Sequence, residues 1–135
     1  MSEEFLKACY DGDIDKVKHF LENETINFNA TDTNGKTGFY LACEGERLLI
    51  VDILLKNSRE KQIFLNLPNN EGKTPLHIAC EKQNEDLIAL IIHENTVNKL
   101  GIDRTRKDKN GKTAFEYFYS PEFESKKNSK CCSIL

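Results

Sequence analysis

The sequence predicts an all-α solenoid of stacked helix–turn–helix units joined by β-turn or hairpin loops, and three observations carry that prediction. First, three segments align without gaps: "NGKTGFYLAC" from Asn34, "EGKTPLHIAC" from Glu71 and "NGKTAFEYFY" from Asn110, their glycines 37 and 39 residues apart. Self-similarity at a period of this size marks a repeat architecture. Second, the stretches that follow also match, "EGERLLIVDILLK" against "EKQNEDLIALIIH", and "ACYDGDIDKVKHFLE" opens the chain with a further copy of that half. Third, only 39% of the 135 residues are hydrophobic while 30% are charged. That balance suits an elongated fold with much surface per residue.

The first unit, residues 3–30, reads as an N-terminal cap. Repeats then start near residues 31, 68 and 107. Within them Ala8, Ala42 and Ala79 are equivalent, as are Val17, Val51 and Ile88, then Phe20, Leu54 and Ile91, then Leu21, Leu55 and Ile92. Gly35, Gly72 and Gly111 each follow an Asn or Glu, where a tight turn needs a residue tolerant of positive φ. Thr37, Thr74 and Thr113 come next as N-caps whose hydroxyls satisfy free helix N–H groups. Pro75 falls at a first helical position, where its missing donor costs nothing. Leu48, Val51, Leu54 and Leu55 recur at i, i+3, i+6 and i+7, an apolar stripe expected to face the stack. Small Ala–Cys pairs in the first helices let neighbouring units approach, and stacking supplies the core that one unit lacks. The last repeat is truncated. Phe118 and Tyr119 stand where the others have Ala–Cys, Pro121 interrupts the chain, and a short "PEFESKK" segment is all that can follow. Phe115, Tyr117, Phe118 and Phe123 are then available to cover the final face. Residues 1–119 are expected to form the repeat domain, and 120–135 a cap segment and flexible tail.

"GKTPLHIAC" resembles the T-P-L-H-x-A signature of the ankyrin repeat, and "IVDILLK" resembles that family's second helix. The resemblance covers residues 3 to about 119. Gly38 and Tyr40 depart from it, standing where the motif has Pro and His, which predicts a less rigid first helix in that repeat. The linkers "NSREKQIFLNLPN" and "NTVNKLGIDRTRKD" exceed the family length by about four and six residues, read as longer loops or extended helix ends. The family's equivalent of His77 hydrogen-bonds within the turn. The resemblance implies a non-catalytic module that binds another protein through its concave face and turn tips. Carried over position by position, that surface is Tyr10 and Asp11 in the cap, then Thr31, Thr33, Asn34, Lys36 and Glu44. It continues through Asn70, Glu71, Lys73, Glu81 and Lys82 to Lys107, Lys109, Asn110 and Lys112.

Other classes find no support. A formal net charge of −3 argues against a nucleic-acid partner, whose footprint is strongly basic. The charge is unevenly spread, with Glu3, Glu4, Asp11, Asp13 and Asp15 at one end and Arg104, Arg106, Lys107, Lys109 and Lys112 at the other. No run approaches the roughly 18 apolar residues of a membrane span, and "MSEEFLKACYDGD" lacks the apolar region of a signal peptide. The expected setting is therefore cytoplasmic, with the five cysteines as thiols rather than a disulfide framework. No C-x-x-C or H-x-x-x-H spacing supports a metal, and no constellation points to catalysis, a cofactor or a small-molecule substrate.

The chain ends in "KKNSKCCSIL". Cys132 four residues from the end, Ile134 and a terminal Leu135 form a C-a-a-X pattern, and leucine at X points to geranylgeranyl. Ser133 is a weaker fit at the first aliphatic position. One lipid chain holds a protein only marginally on a bilayer. Cys131, a palmitoylation candidate, and Lys126, Lys127 and Lys130 supply the second signal. The expectation is an adaptor held at the cytoplasmic face of a membrane. Its rivals are a soluble ankyrin-type inhibitor of the myotrophin kind with an unmodified tail, and a secreted effector prenylated by a host.

Overall fold

The computed structural model describes residues 2–23 and 26–118. Among them seven helices form and no strand: α1 (Ser2–Asp11), α2 (Ile14–Asn23), α3 (Gly38–Glu44), α4 (Leu48–Asn57), α5 (Pro75–Glu81), α6 (Glu85–Asn98) and α7 (Ala114–Phe118). The odd-numbered helices stack as one layer, α1 on α3, α3 on α5 and α5 on α7. The even-numbered helices form the second, α2 on α4 and α4 on α6. The all-α repeat architecture read from the sequence is the one observed.

Local chemistry starts the helices where the repeat alignment puts them. Thr37 Oγ1 accepts from the Tyr40 N–H at 3.1 Å, and Thr74 Oγ1 from the His77 N–H at 3.4 Å. Pro75 occupies the first turn of α5. In the third repeat the Glu116 carboxylate takes the Thr113 N–H at 2.7 Å. Gly35, Gly72 and Gly111 have φ of +79°, +79° and +76°, the left-handed backbone that each turn requires.

The core runs unbroken between the layers. Cys9, Ala42, Cys43, Ala79 and Cys80 are buried in the first-helix layer, and Val17, Ile50, Val51, Leu54, Leu87 and Ile88 in the second. One expected stripe residue lies elsewhere. Leu48 is 37% exposed, whereas Ile50 is fully buried beside Val51, Leu54 and Leu55. The helix begins at Leu48, so its first residue points away before the helical turn brings the apolar face round to the stack.

Gly38 has a packing cause. It is buried at the first position of α3, and a Cβ there would lie 2.6 Å from Phe5 Cε2 and 3.1 Å from Cys9 Sγ. The cap's phenyl ring, set edge-on to Phe20 and Phe28, occupies the space a proline would need. The long linkers divide between the two readings. After α4 the extra residues form turns through residue 62, while α6 extends to fourteen residues. Beyond them the 37-residue period returns in Phe28, Leu65 and Ile102, all buried. Two further residues enter between Asp103 and Asp108, five apart where Asn66 and Asn69 are three apart. Phe118 is fully buried and Phe115 and Tyr117 partly so. Phe123, "PEFESKK" and the tail cysteines lie outside the described residues.

Candidate functional site

The face formed by the hairpins and the exposed sides of α1, α3 and α5 is built from one turn used three times. Asp32 Oδ1 accepts the N–H groups of Asn34 and Lys36, both at 2.9 Å. Asn69 Oδ1 does the same for Glu71 and Lys73, and Asp108 Oδ1 for Asn110 and Lys112. Each of these acceptors sits three residues before a turn glycine. Neighbouring hairpins are then joined, since the Asn70 N–H donates to the Asn34 carbonyl at 2.9 Å and the Lys109 N–H to the Glu71 carbonyl at 3.0 Å. Asn70 Nδ2 adds a bond to the Thr33 carbonyl at 3.0 Å. Asn34 and Asn70 thus set hairpin register as well as lining the surface.

Two grooves lie along this face. One, about 450 Å³, is bounded by Glu3, Leu6, Lys7, Tyr10, Thr31, Asp32, Thr33 and Leu41. Tyr10, 46% exposed, is the aromatic side chain at its edge. Asp11 beside it is paired with Lys7 at 2.8 Å. The second groove, about 370 Å³, brings together Asn34, Lys36, Glu44, Asn70, Glu71, Lys73 and Glu81 with Tyr40, Asn69 and Ile78.

Inside that groove each lysine is paired with a carboxylate, and Glu71 adds one carboxylate more. Lys36 Nζ is 3.1 Å from Glu44 Oε1, and Lys73 Nζ is 3.0 Å from Glu81 Oε1, the same hairpin-to-helix contact one repeat apart. Burial works against the Lys73 ammonium and the Glu81 carboxylate outweighs it, so its pKa is raised. Tyr40 fills the place of the motif histidine, and its Oη accepts from Asn69 Nδ2 at 3.1 Å. Burial first, then the carboxylates of Glu44, Glu81 and Glu71, push its phenol up, so it remains a neutral hydroxyl. The groove offers amides, a phenol and neutralised ion pairs, donors and acceptors in both senses, which suits polypeptide more than an anion or a cation.

A model of ankyrin repeats in three copies matches residues 5–108. The chain belongs to the ankyrin-repeat family. No curated protein matches it. Ankyrin repeats are generally protein–protein interaction modules and typically non-catalytic.

The interior of this ankyrin stack accounts for the side chains that might otherwise suggest chemistry. His77 Nδ1 accepts from the Thr74 N–H at 3.1 Å, which leaves Nε2 to donate to the Lys112 carbonyl at 2.9 Å. Burial pushes the Cys9 thiol up to about 12 and raises Cys43 and Cys80 as well, so none is a thiolate nucleophile. Among the described residues no three His, Cys, Asp or Glu side chains are placed to hold a metal ion, and no helix is long and apolar enough to cross a membrane.

The remaining sequence-derived positions separate from the grooves. Lys82 is exposed at the end of α5. Lys107, Lys109, Asn110 and Lys112 are exposed on the third hairpin. There the Lys112 ammonium lies 5.1 Å from the centre of the Tyr117 ring, and Lys73 lies 5.2 Å from the same ring. Tyr117 also bonds Asp108 through its hydroxyl. Burial opposes the Asp108 charge, but the bonds from Tyr117, Lys112 and Asn110 hold its carboxyl below the usual range. Sequence reasoning noted Tyr40 only as a departure from the motif and a candidate aromatic contact, and it passed over Asp32, Asn69 and Asp108. The acceptor three residues before each glycine was the signal for the last three.

Proposed function

We propose that the chain is an adaptor that holds a protein partner on its hairpin face while a prenyl group on Cys132 tethers it to the cytoplasmic face of a membrane. The observation that carries the first half is the pair of aligned grooves, one edged by exposed Tyr10 and the other lined by the neutralised Lys36–Glu44 and Lys73–Glu81 pairs. An aromatic anchor beside a polar strip whose lysines are paired is the composition of a protein-binding surface. The second half is supported by the terminal "CCSIL", with Lys126, Lys127 and Lys130 before it. Tethering works by local concentration, since the lipid confines the hairpin face and its cargo to a thin layer.

The two halves are tested separately. Intact mass of the full chain from a eukaryotic cell, beside Cys132→Ser, reads the tether: a prenyl gain with loss of three residues, absent in the variant, is the expected result. An unmodified mass in cells that prenylate other proteins removes it. For the face, proximity labelling is compared between wild type and Tyr10→Ala/Glu71→Lys. Partners should be lost from the double variant at unchanged abundance, and an identical labelled set removes the assignment.

A further inference from the structure

In the cap and on the first two hairpins each lysine that lines a groove has a carboxylate of its own: Lys7 has Asp11, Lys36 has Glu44 and Lys73 has Glu81. The third repeat breaks this rule. Arg104, Arg106, Lys107 and Lys109 are all exposed, and among the described residues none of the four is in an ion pair. Two neighbouring acids feel these charges without forming an ion pair, Asp103 that of Arg106 and Glu116 that of Lys107, and their side-chain hydrogen bonds go mainly to other groups. Asp103 accepts from the N–H and hydroxyl of Thr105, both at 2.8 Å, Asp108 is buried in its turn with Tyr117, and Glu116 caps Thr113. The cations also coincide with the two residues by which this loop exceeds its counterpart in the preceding repeat.

Apolar surface adjoins the cations. A groove of about 600 Å³ runs between Arg59 and Arg106, walled by Ile63, Phe64, Leu67, Pro68 and Leu100 among others. Phe64 is 55% exposed, an unusual place for phenylalanine in a chain that buries Phe5, Phe20, Phe28, Phe39 and Phe118. Arg59 is fixed at the other rim by donating to the carbonyls of Asn98 and Lys99 at 2.6 and 3.1 Å.

We infer that Arg104, Arg106, Lys107 and Lys109, with Phe64 in the groove that Arg106 lines, form a docking surface for the anionic headgroups of a phospholipid bilayer. An acidic polypeptide has use for the cations and none for the phenylalanine, and the net charge of −3 speaks against a nucleic acid. A lipid interface takes both, the phenyl ring below the headgroups and the cations among the phosphates. The inference rests on the tethered reading above and deepens it by fixing which side of the stack meets the membrane. The 14 residues from Phe118 to Cys132 span at most about 50 Å, so a lipid on Cys132 keeps the patch near the bilayer. The partner-binding grooves then lie on units whose groove lysines are already paired.

The test uses the full chain bearing Cys131→Ser/Cys132→Ser, so that no lipid contributes, and sedimentation with vesicles of phosphatidylserine and phosphatidylcholine or of phosphatidylcholine alone. Binding should require phosphatidylserine and weaken as salt is raised. Arg104→Gln/Arg106→Gln/Lys107→Gln/Lys109→Gln should lower the partition coefficient by several hundredfold, at roughly fivefold per cation. The effect of Lys126→Gln/Lys127→Gln/Lys130→Gln should be smaller, and Phe64→Ser should remove the binding that survives at high salt. Thermal melts equal to wild type show that each variant is folded. Equal binding to neutral vesicles, or by the fourfold variant, overturns the inference. So does tighter binding to poly-glutamate or RNA than to phosphatidylserine vesicles, which reassigns the patch to a macromolecular polyanion. Because no prenyl group is present, failure here leaves the mass-spectrometric test of the tether untouched, and failure of that test leaves a vesicle result standing.

Discussion

His77 joins two repeats through one imidazole: Nδ1 accepts the Thr74 N–H at 3.1 Å and Nε2 donates to the Lys112 carbonyl at 2.9 Å. The first bond closes the capping box of α5, and the second ties that helix to the hairpin of the next unit. A single tautomer serves both because the donor and the acceptor come from opposite sides. In the preceding repeat Tyr40 reaches the equivalent hairpin by another route, accepting from the Asn69 side chain.

Replacing His77 by Ala strands the buried Thr74 N–H, while the Lys112 carbonyl keeps its bond from the Asp108 N–H, so the expected loss is about 1–3 kcal/mol in urea unfolding for the one unsatisfied group, plus the lost packing of the ring. Tyr40→Phe removes one bond from a half-exposed amide and should cost only about 0.5–1.5 kcal/mol. Similar losses at the two sites would mean that the two inter-repeat contacts are energetically alike, against this geometry.

At Gly38 the family motif recommends the wrong residue for this chain. A Cβ there meets the Phe5 ring at 2.6 Å, so Gly38→Ala should destabilise by about 1–3 kcal/mol despite the better helix propensity of alanine. Combining it with Phe5→Leu should recover part of that loss relative to the sum of the single changes. A thermal melt series of the four proteins reads the coupling directly. A Gly38→Ala variant more stable than wild type would remove the clash as the reason for glycine.

The second-helix register makes a paired prediction. Leu54 is fully buried, so Leu54→Ala should cost about 2–5 kcal/mol. Leu48, 37% exposed at the helix start, should tolerate alanine within about 0.5 kcal/mol. Equal urea midpoints for the two variants would put the stripe in a different register.

Leu48 also shows where the sequence stopped being informative. The repeat and its turns were legible because glycine, threonine and proline each carry a positional requirement of the backbone, recurring at fixed offsets. The apolar stripe was legible only to within one residue, since a run of Leu48–Leu49–Ile50–Val51 contains several helical phasings and the helix start decides among them. Gly38 read as a weakness because its reason is a ring more than 30 residues away, which no local pattern reports. The same holds for Asn29 and Asn66. Each brackets the backbone of the following unit, Asn29 at Gln62 and Phe64, Asn66 at Gly101 and Asp103. At the hairpin face the residue choices were readable, but their pairing was not. Lys36 and Glu44, or Lys73 and Glu81, look like independent contact residues until the hairpin folds over the helix.

The buried thiols give a pH dependence whose sign follows from their environment. Burial raises the Cys9 thiol to about 12 and raises Cys43 and Cys80 too, whereas an unfolded thiol ionises near about 8.5. The native chain therefore holds these protons after the unfolded chain has released them. Their contribution to stability is fully present below the unfolded pKa and is lost as pH rises from there toward the folded values. The expected slope is about −1.4 kcal/mol per pH unit for each thiol between roughly pH 9 and 11. Urea unfolding at several pH values checks it, with Cys43→Ala expected to flatten the slope by one thiol's share even though the variant is less stable throughout. In a Cys131→Ser/Cys132→Ser background, a thiol-reactive dye should label native protein slowly and urea-unfolded protein fast. Rapid labelling of the native protein at pH 8, or a slope unchanged by Cys43→Ala, would show that the Ala–Cys layer is open to solvent. Tight stacking of the repeats would then have to rest on the second-helix layer alone.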